Sequence, residues 1–134
     1  VGQVGFTKIL STSDYLILLL PLTEQTKTII NSETLKLVKN GAILINAGRG
    51  GLIADDDLLK ALDSGKLSDC TLDVFNEEPL PPKHAFWFHD KVTVTPHISA
   101  PTRLKSSIKS ILKNIARIKK GLNPIGLVDK ERYY

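Results

Sequence analysis

The sequence predicts an α/β domain built on a parallel sheet and closed by a long C-terminal helix. Short apolar runs alternate with stretches of helical spacing, which is the order of a parallel α/β sheet. The runs are apolar throughout rather than alternating, as expected of strands buried on both faces. Each run also ends abruptly in glycine, proline or asparagine.

Taken in order, Phe6 to Ser13 reads as the end of a helix, with Phe6, Ile9 and Leu10 on one face. Asp14 leads into a strand from Tyr15 to Leu20, closed by Pro21, and a threonine-rich loop follows to Thr28. Asn31 or Ser32 is placed to cap a short helix over Glu33–Val38. Asn40-Gly41 makes a turn into the strand Ala42–Asn46, which runs out into Ala47-Gly48-Arg49-Gly50-Gly51. Small residues there let the chain turn tightly and let another molecule approach the backbone, with one large cation, Arg49, among them.

Asp55, Asp56 and Asp57 open the next helix, one as a cap and the others at the positive end of its dipole. Three adjacent carboxylates also suggest a metal site, but no second ligand cluster lies nearby, and no metal is expected. Gly65 is a natural stop. A third strand is expected over Cys70–Phe75, then a proline-rich loop, then a fourth strand over Val92–Thr95 ended by Pro96-His97. In the last element, Pro101 to Lys120, the residues Leu104, Ile108, Ile111, Leu112, Ile115 and Ile118 form one helical stripe, stopped by Gly121.

With 134 residues the chain fits one domain and buries a real core. No apolar run is long enough to span a membrane, so no membrane partner is expected. The single cysteine, Cys70, has no internal disulfide partner, and a reduced, cytoplasmic setting is the default. The net charge of +4 comes from one place: residues 101–120 hold seven basic residues and no acid. A solvated helix face explains that charge, so no nucleic-acid partner is expected.

If the strands are parallel, their carboxyl ends share one edge, where ligands of open α/β sheets bind. That edge gathers Pro21–Thr26, Arg49, Asp73–Glu78 and His97: an arginine, carboxylates and a histidine on one rim. From the residues alone, Glu77 and Glu78 compete as the histidine's partner. His84 and His89 read as surface residues and Trp87 as loop packing.

The blocks LLLPLTEQT (18–26), ILINAGRGGLI (43–53), LDVFNEEPLPP (72–82) and VTVTPHISAPT (92–102) resemble the D-2-hydroxyacid dehydrogenases in content and in spacing. Nearly the whole chain is covered. EEPLPP followed by Trp87 and TPH is most similar to the glyoxylate/hydroxypyruvate reductase branch, and the ending Val128-Asp129 to Tyr134 is similar too. The resemblance implies a Rossmann-like, partial nucleotide-binding domain over residues 1–121 and a tail, 122–134, that would return to a substrate domain.

It also implies roles. Arg49 would bind the substrate carboxylate and carbonyl, since its rigid, permanently charged fork suits a planar oxyacid. His97 would be the general acid–base. Glu78, favoured over Glu77 by the family spacing, would hold the histidine and raise its pKa. Leu20, Pro21, Thr26, Ala47, Gly48, Arg49, Asp73, His97, Ser99 and Ala100 would line NAD or NADP, with Asp73 accepting from the carboxamide. Ser99 and Ala100 stand where the family usually has glycines. The expected activity is reduction of a small 2-oxoacid by a homodimeric enzyme. A dinucleotide-sensing corepressor of the same fold is the other reading.

The family's G-x-G-x-x-G turn is absent, and Gly2-Gln3-Val4-Gly5 does not replace it. The chain therefore reads as the C-terminal part of a nucleotide-binding domain. By itself it is expected to be inactive and to associate through its bared sheet edge.

Overall fold

The computed structural model describes residues 3–130 and divides into two compact units, 1–99 and 100–134. Each is described by itself. The first carries α1 (Gln3–Thr12), β1 (Tyr15–Leu18), α2 (Ser32–Leu37), β2 (Ala42–Asn46), α3 (Asp55–Asp63), β3 (Leu67–Leu72) and β4 (Val92–Val94). The second carries α4 (Leu104–Lys119). Gly2 of the Gly2–Gly5 stretch and residues 131–134 of the tail lie outside the described residues.

The four strands form one parallel sheet in the order β1-β2-β3-β4. The helices form a row, α1 against α2 and α2 against α3, and bury one face of the sheet. Leu16, Leu18, Ala42, Leu44, Cys70 and Leu72 meet Leu10, Ile30, Leu35, Leu52, Leu58 and Leu62 there, all of them buried. Burial of one such leucine stabilises the fold by about 1.5–3 kcal/mol. The other face is not covered within this unit: Tyr15 is 63% and Ile17 59% exposed. The expectation of strands buried on both faces therefore fails for β1, because one row of helices covers only one side.

Boundaries shift for local reasons. β1 ends at Leu18 rather than Leu20, as Pro21 lacks an N–H and constrains the residue before it. Asn31 caps α2: its Oδ1 accepts from the N–H groups of Glu33 (3.0 Å) and Thr34 (3.1 Å), and Thr34 Oγ1 accepts from the Asn31 N–H (2.9 Å). No aspartate caps α3. Its cap residue is Ala54, and Asp57 instead accepts from the Ser32 N–H at 2.8 Å, tying α3 to α2. β3 begins at Leu67, three residues before Cys70, and stops at Leu72. Asp73–Phe75 lie beyond the strand, because both neighbours end opposite Leu72, β2 at Asn46 and β4 at Val94.

In the second unit, α4 ends in a Schellman motif. Gly121, at φ +71°, donates to the Ile118 carbonyl, and the Leu122 N–H donates to Arg117 (3.0 Å). The tail folds back on the helix through Asn114, which exchanges two hydrogen bonds with Ile125. The stripe from Leu104 to Ile118 is exposed along its length. Among the described residues no helix is long and apolar enough to cross a membrane.

Candidate active site

Two loops at the carboxyl edge of the sheet carry the arginine and the histidine, and the loop after β3 between them carries the carboxylates Asp73 and Glu78. The first leaves β2 at Asn46, which is buried and fixes the turn from both ends of its amide. Gly48 N–H donates to Asn46 Oδ1 (3.1 Å), and Asn46 Nδ2 donates to the Arg49 carbonyl (2.9 Å). Gly50 then lies flat against the next loop. A Cβ on Gly50 would sit 1.9 Å from the Phe75 carbonyl carbon and 2.4 Å from the Asn76 nitrogen. Only glycine permits this approach, which brings the Arg49 loop against the segment carrying Glu78. Arg49 itself is exposed, with Nη1 donating to the Gly48 carbonyl at 2.7 Å.

The second loop follows β4. His97 adopts a left-handed backbone, φ +54°, which costs a non-glycine residue on the order of 1 kcal/mol. Its Nδ1 lies 2.8 Å from Glu78 Oε2. An ionised carboxylate only accepts, so Nδ1 carries the proton and Nε2 is left to gain or lose one. Glu78 Oε1 accepts from the Phe75 N–H at 3.0 Å. Hydrogen bonding from His97, then from Phe75, with the charges of His97 and Arg49 behind them, holds the Glu78 carboxyl below its ordinary pKa. Glu77 makes no such contact with the histidine.

Asp73 sits beneath this loop, 3% exposed. Its Oδ1 accepts from Thr95 Oγ1 (2.5 Å) and the Ile98 N–H (2.9 Å), and its Oδ2 from the Ser99 N–H (2.9 Å). Burial alone would raise its pKa, but hydrogen bonds from Ser99, Thr95 and Ile98 outweigh burial and hold the carboxyl well below the usual range.

Beside the Glu78–His97 pair is a cavity of about 520 Å³, walled by Phe75, Pro79, Leu80, Trp87, Val94 and Pro96. Trp87 is half exposed, and its indole N–H donates to the Pro81 carbonyl at 3.0 Å, so it forms a cavity wall as well as packing the loop. His84 and His89 are not free surface residues. His84 faces Asp55 (3.8 Å) and His89 faces Asp63 (3.2 Å), pinning the Trp87 loop to both ends of α3. Among the described residues no cluster of three or more histidines, cysteines or carboxylates could hold a metal ion.

The remaining expected residues of the first unit fall on the same edge or in its loops. Leu20 and Pro21 follow β1, with Leu20 exposed. The Thr26 hydroxyl donates to the Pro21 carbonyl at 2.6 Å and so closes that loop. Ala47 and Gly48 follow β2, and Ser99 ends the first unit. Ala100 opens the second unit. Sequence reasoning gave no role to Asn46 or Thr95. Asn46 carries a readable signal, an asparagine bonding to the backbone two residues on. Thr95 carries none.

The loops at this edge hold apolar Leu20, Pro21 and Ala47, one cation and a histidine–carboxylate pair, groups whose chemistry suits a nicotinamide nucleotide. They offer no glycine-rich turn for the pyrophosphate. Fold and rim together define a Rossmann-like, nucleotide-binding α/β unit. Residues 1–99 match the family model for the D-isomer specific 2-hydroxyacid dehydrogenase NAD binding domain, and the chain belongs to that family.

Solved structures agree. A D-isomer specific 2-hydroxyacid dehydrogenase from Xanthobacter autotrophicus Py2, in complex with NADPH and MES, is 36% identical with a TM-score of 0.95 over 99% of this chain and 55% of its own. An NADPH-dependent glyoxylate/hydroxypyruvate reductase from Sinorhizobium meliloti, in complex with NADP and sulfate, is 37% identical with a TM-score of 0.93, over 100% of this chain and 44% of its own. A family member from Klebsiella pneumoniae 342 is 40% identical with a TM-score of 0.89, over 97% of this chain and 42% of its own. This chain thus spans about half the length of these relatives.

Proposed function

We propose that this chain supplies the catalytic, nicotinamide-facing half of an NAD(P)-dependent 2-oxoacid reductase acting on glyoxylate or hydroxypyruvate. The observation that carries this is the 2.8 Å pair between His97 Nδ1 and Glu78 Oε2, on the same rim as an exposed arginine. The Sinorhizobium relative supports the substrate class.

Leu20, Pro21, Ala47 and Gly48 would hold the nicotinamide nucleotide, and Asp73 and Ser99 belong to the same set. When bound, that group supplies the hydride. Arg49 presents parallel N–H donors to the oxoacid carboxylate and orients the carbonyl. His97 delivers a proton from Nε2 to the carbonyl oxygen and takes it back in the reverse direction. Glu78 keeps the imidazole in the tautomer this requires, with the proton on Nδ1.

The experiment is Arg49→Lys in the whole protein. Lysine keeps the charge but loses the fork, so kcat/KM for the oxoacid should fall about 10- to 100-fold while dinucleotide affinity stays within about threefold. Unchanged turnover and oxoacid affinity would remove Arg49 from the role of carboxylate clamp.

A further inference from the structure

We infer that Trp87 is a specificity-determining residue: its indole walls the cavity beside the Glu78–His97 pair and limits the length of the 2-oxoacid side chain that the site accepts. This rests on the proposed roles of His97 and Arg49, and it goes beyond them by naming the group that sorts the substrates.

The carbonyl carbon of a 2-oxoacid carries an oxygen, a carboxylate and a side chain. On the proposed reading the oxygen belongs to His97 and the carboxylate to Arg49, so the side chain needs a third place. Arg49 does not line the cavity, whereas Glu78 and His97 do, and every other lining residue is apolar. A carboxylate turned into that space would lose its water among apolar walls, whereas an apolar side chain loses nothing there. The volume of about 520 Å³ is far more than a hydrogen or a hydroxymethyl group fills. The wall facing the catalytic pair, rather than the pair itself, therefore decides how long a side chain enters.

The other walls are committed to the fold. Phe75 and Val94 pack against the core, and Leu80 is buried in it. Trp87 stands on the loop before β4 and is 49% exposed, yet it is held from several sides. Its indole N–H donates to the Pro81 carbonyl, and its backbone N–H donates to the His84 carbonyl at 3.1 Å. His84 and His89 flank it, and each accepts a backbone N–H at Nδ1, from Phe86 (3.3 Å) and Lys91 (3.1 Å) respectively. The ring proton of each is thereby placed on Nε2, the nitrogen that faces Asp55 in one and Asp63 in the other. A loop fixed on both flanks holds the indole in one orientation, which discrimination by size requires. Phe88, the next residue, is 73% exposed and does not line this cavity, so it is a control on the same loop.

The test uses the whole protein carrying this chain, with Trp87→Ala and Phe88→Ala. It measures kcat/KM for glyoxylate and for 2-oxoacids bearing an isobutyl or a benzyl group. One methylene in an apolar pocket is worth about 10- to 200-fold, so Trp87→Ala should raise the benzyl-to-glyoxylate ratio at least about tenfold. Phe88→Ala should leave that ratio within about twofold. A ratio that Trp87→Ala leaves unchanged, or that both variants shift alike, would overturn the assignment. Should Trp87→Ala not fold, Trp87→Leu keeps an apolar group on the loop and is read by the same ratio.

A second reading does not need turnover. In protein labelled with fluorotryptophan, the Trp87 fluorine resonance is assigned by its loss in Trp87→Phe. Titration with the isobutyl acid in the presence of oxidised NADP should shift it. If the unmodified protein reduces none of the three acids, the proposed function fails and this resonance decides the wall. A shift supports it, and an unmoved resonance overturns it.

Discussion

The two loops that meet at the rim are held by opposite means. The Asn46–Gly51 loop is fixed by neutral groups: an asparagine amide bonded twice and a glycine packed against another backbone. Its cation, Arg49, is left exposed at the tip. The Pro96–Ser99 loop is fixed by charge, with Glu78 on the imidazole and Asp73 on the main chain. On the proposed reading, an arginine that reaches for a ligand tolerates freedom in its long side chain, whereas a histidine that aims one proton does not. That reading assigns binding to one loop and proton transfer to the other, and each loop can be broken without the other.

The largest expected effect lies in the histidine loop. His97→Gln keeps a polar side chain of similar reach but removes the titrating nitrogen. General acid–base catalysis contributes about 10²–10⁴-fold, so kcat for 2-oxoacid reduction in the whole protein should fall within that range. Oxoacid KM and dinucleotide affinity should change far less. Activity within a few-fold of the unmodified protein would mean that water or another group supplies the proton.

Breaking the arginine loop instead costs stability. In Gly50→Ala the new methyl would overlap the Phe75 carbonyl, and a backbone cannot swing aside as a flexible side chain can. Overpacking typically costs about 1–3 kcal/mol, and this site should lie at or above the upper end. Gly41→Ala is the matched control, since its Cβ meets nothing within 4 Å and only the φ of +77° is strained. That change should cost about 1 kcal/mol. Thermal unfolding of both variants in the whole protein checks the ranking, and equal losses would show that the Gly50 contact is easily relieved.

How much of this was legible follows from distance along the chain. The Arg49 loop could be read because its determinants are local: Asn46, Gly48 and Gly50 stand within five residues, after an apolar run. The parallel order and the convergence of Arg49, Glu78 and His97 followed from the alternation of elements. The Asp73 clamp could not be read, since its partners are 22 to 26 residues away and two of them are backbone N–H groups. The His84–Asp55 and His89–Asp63 pairs escaped for the same reason. β3 was placed late because Ser68 and Asp69 interrupt the apolar run while pointing away from the core. The choice of Glu78 over Glu77 came from resemblance, and spacing from the residues alone left it open.

The smallest effect discriminates most finely, because acid should loosen one loop and spare the other. Asp73 and Glu78 both have pKa values held below the ordinary 3.8 and 4.5. For a carboxyl with a lowered pKa, the unfolded or opened state binds more protons than the folded one between the two values. Its stabilisation is complete above the ordinary value and is lost as pH falls toward the depressed one. Protonating Asp73 weakens the acceptor of the Ile98 and Ser99 N–H groups, and protonating Glu78 releases the imidazole. The Gly48 N–H, by contrast, donates to the Asn46 amide oxygen, which does not titrate. Amide hydrogen exchange of the whole protein, from pH 6 to about 3 and corrected for intrinsic rates, should therefore show Ile98 and Ser99 losing protection below about pH 4. Gly48 should follow only the global unfolding reported by Leu44, whose side chain is fully buried in the core. If Gly48 and Ser99 lose protection together while Leu44 holds, the two loops open as one unit and the division between them is wrong.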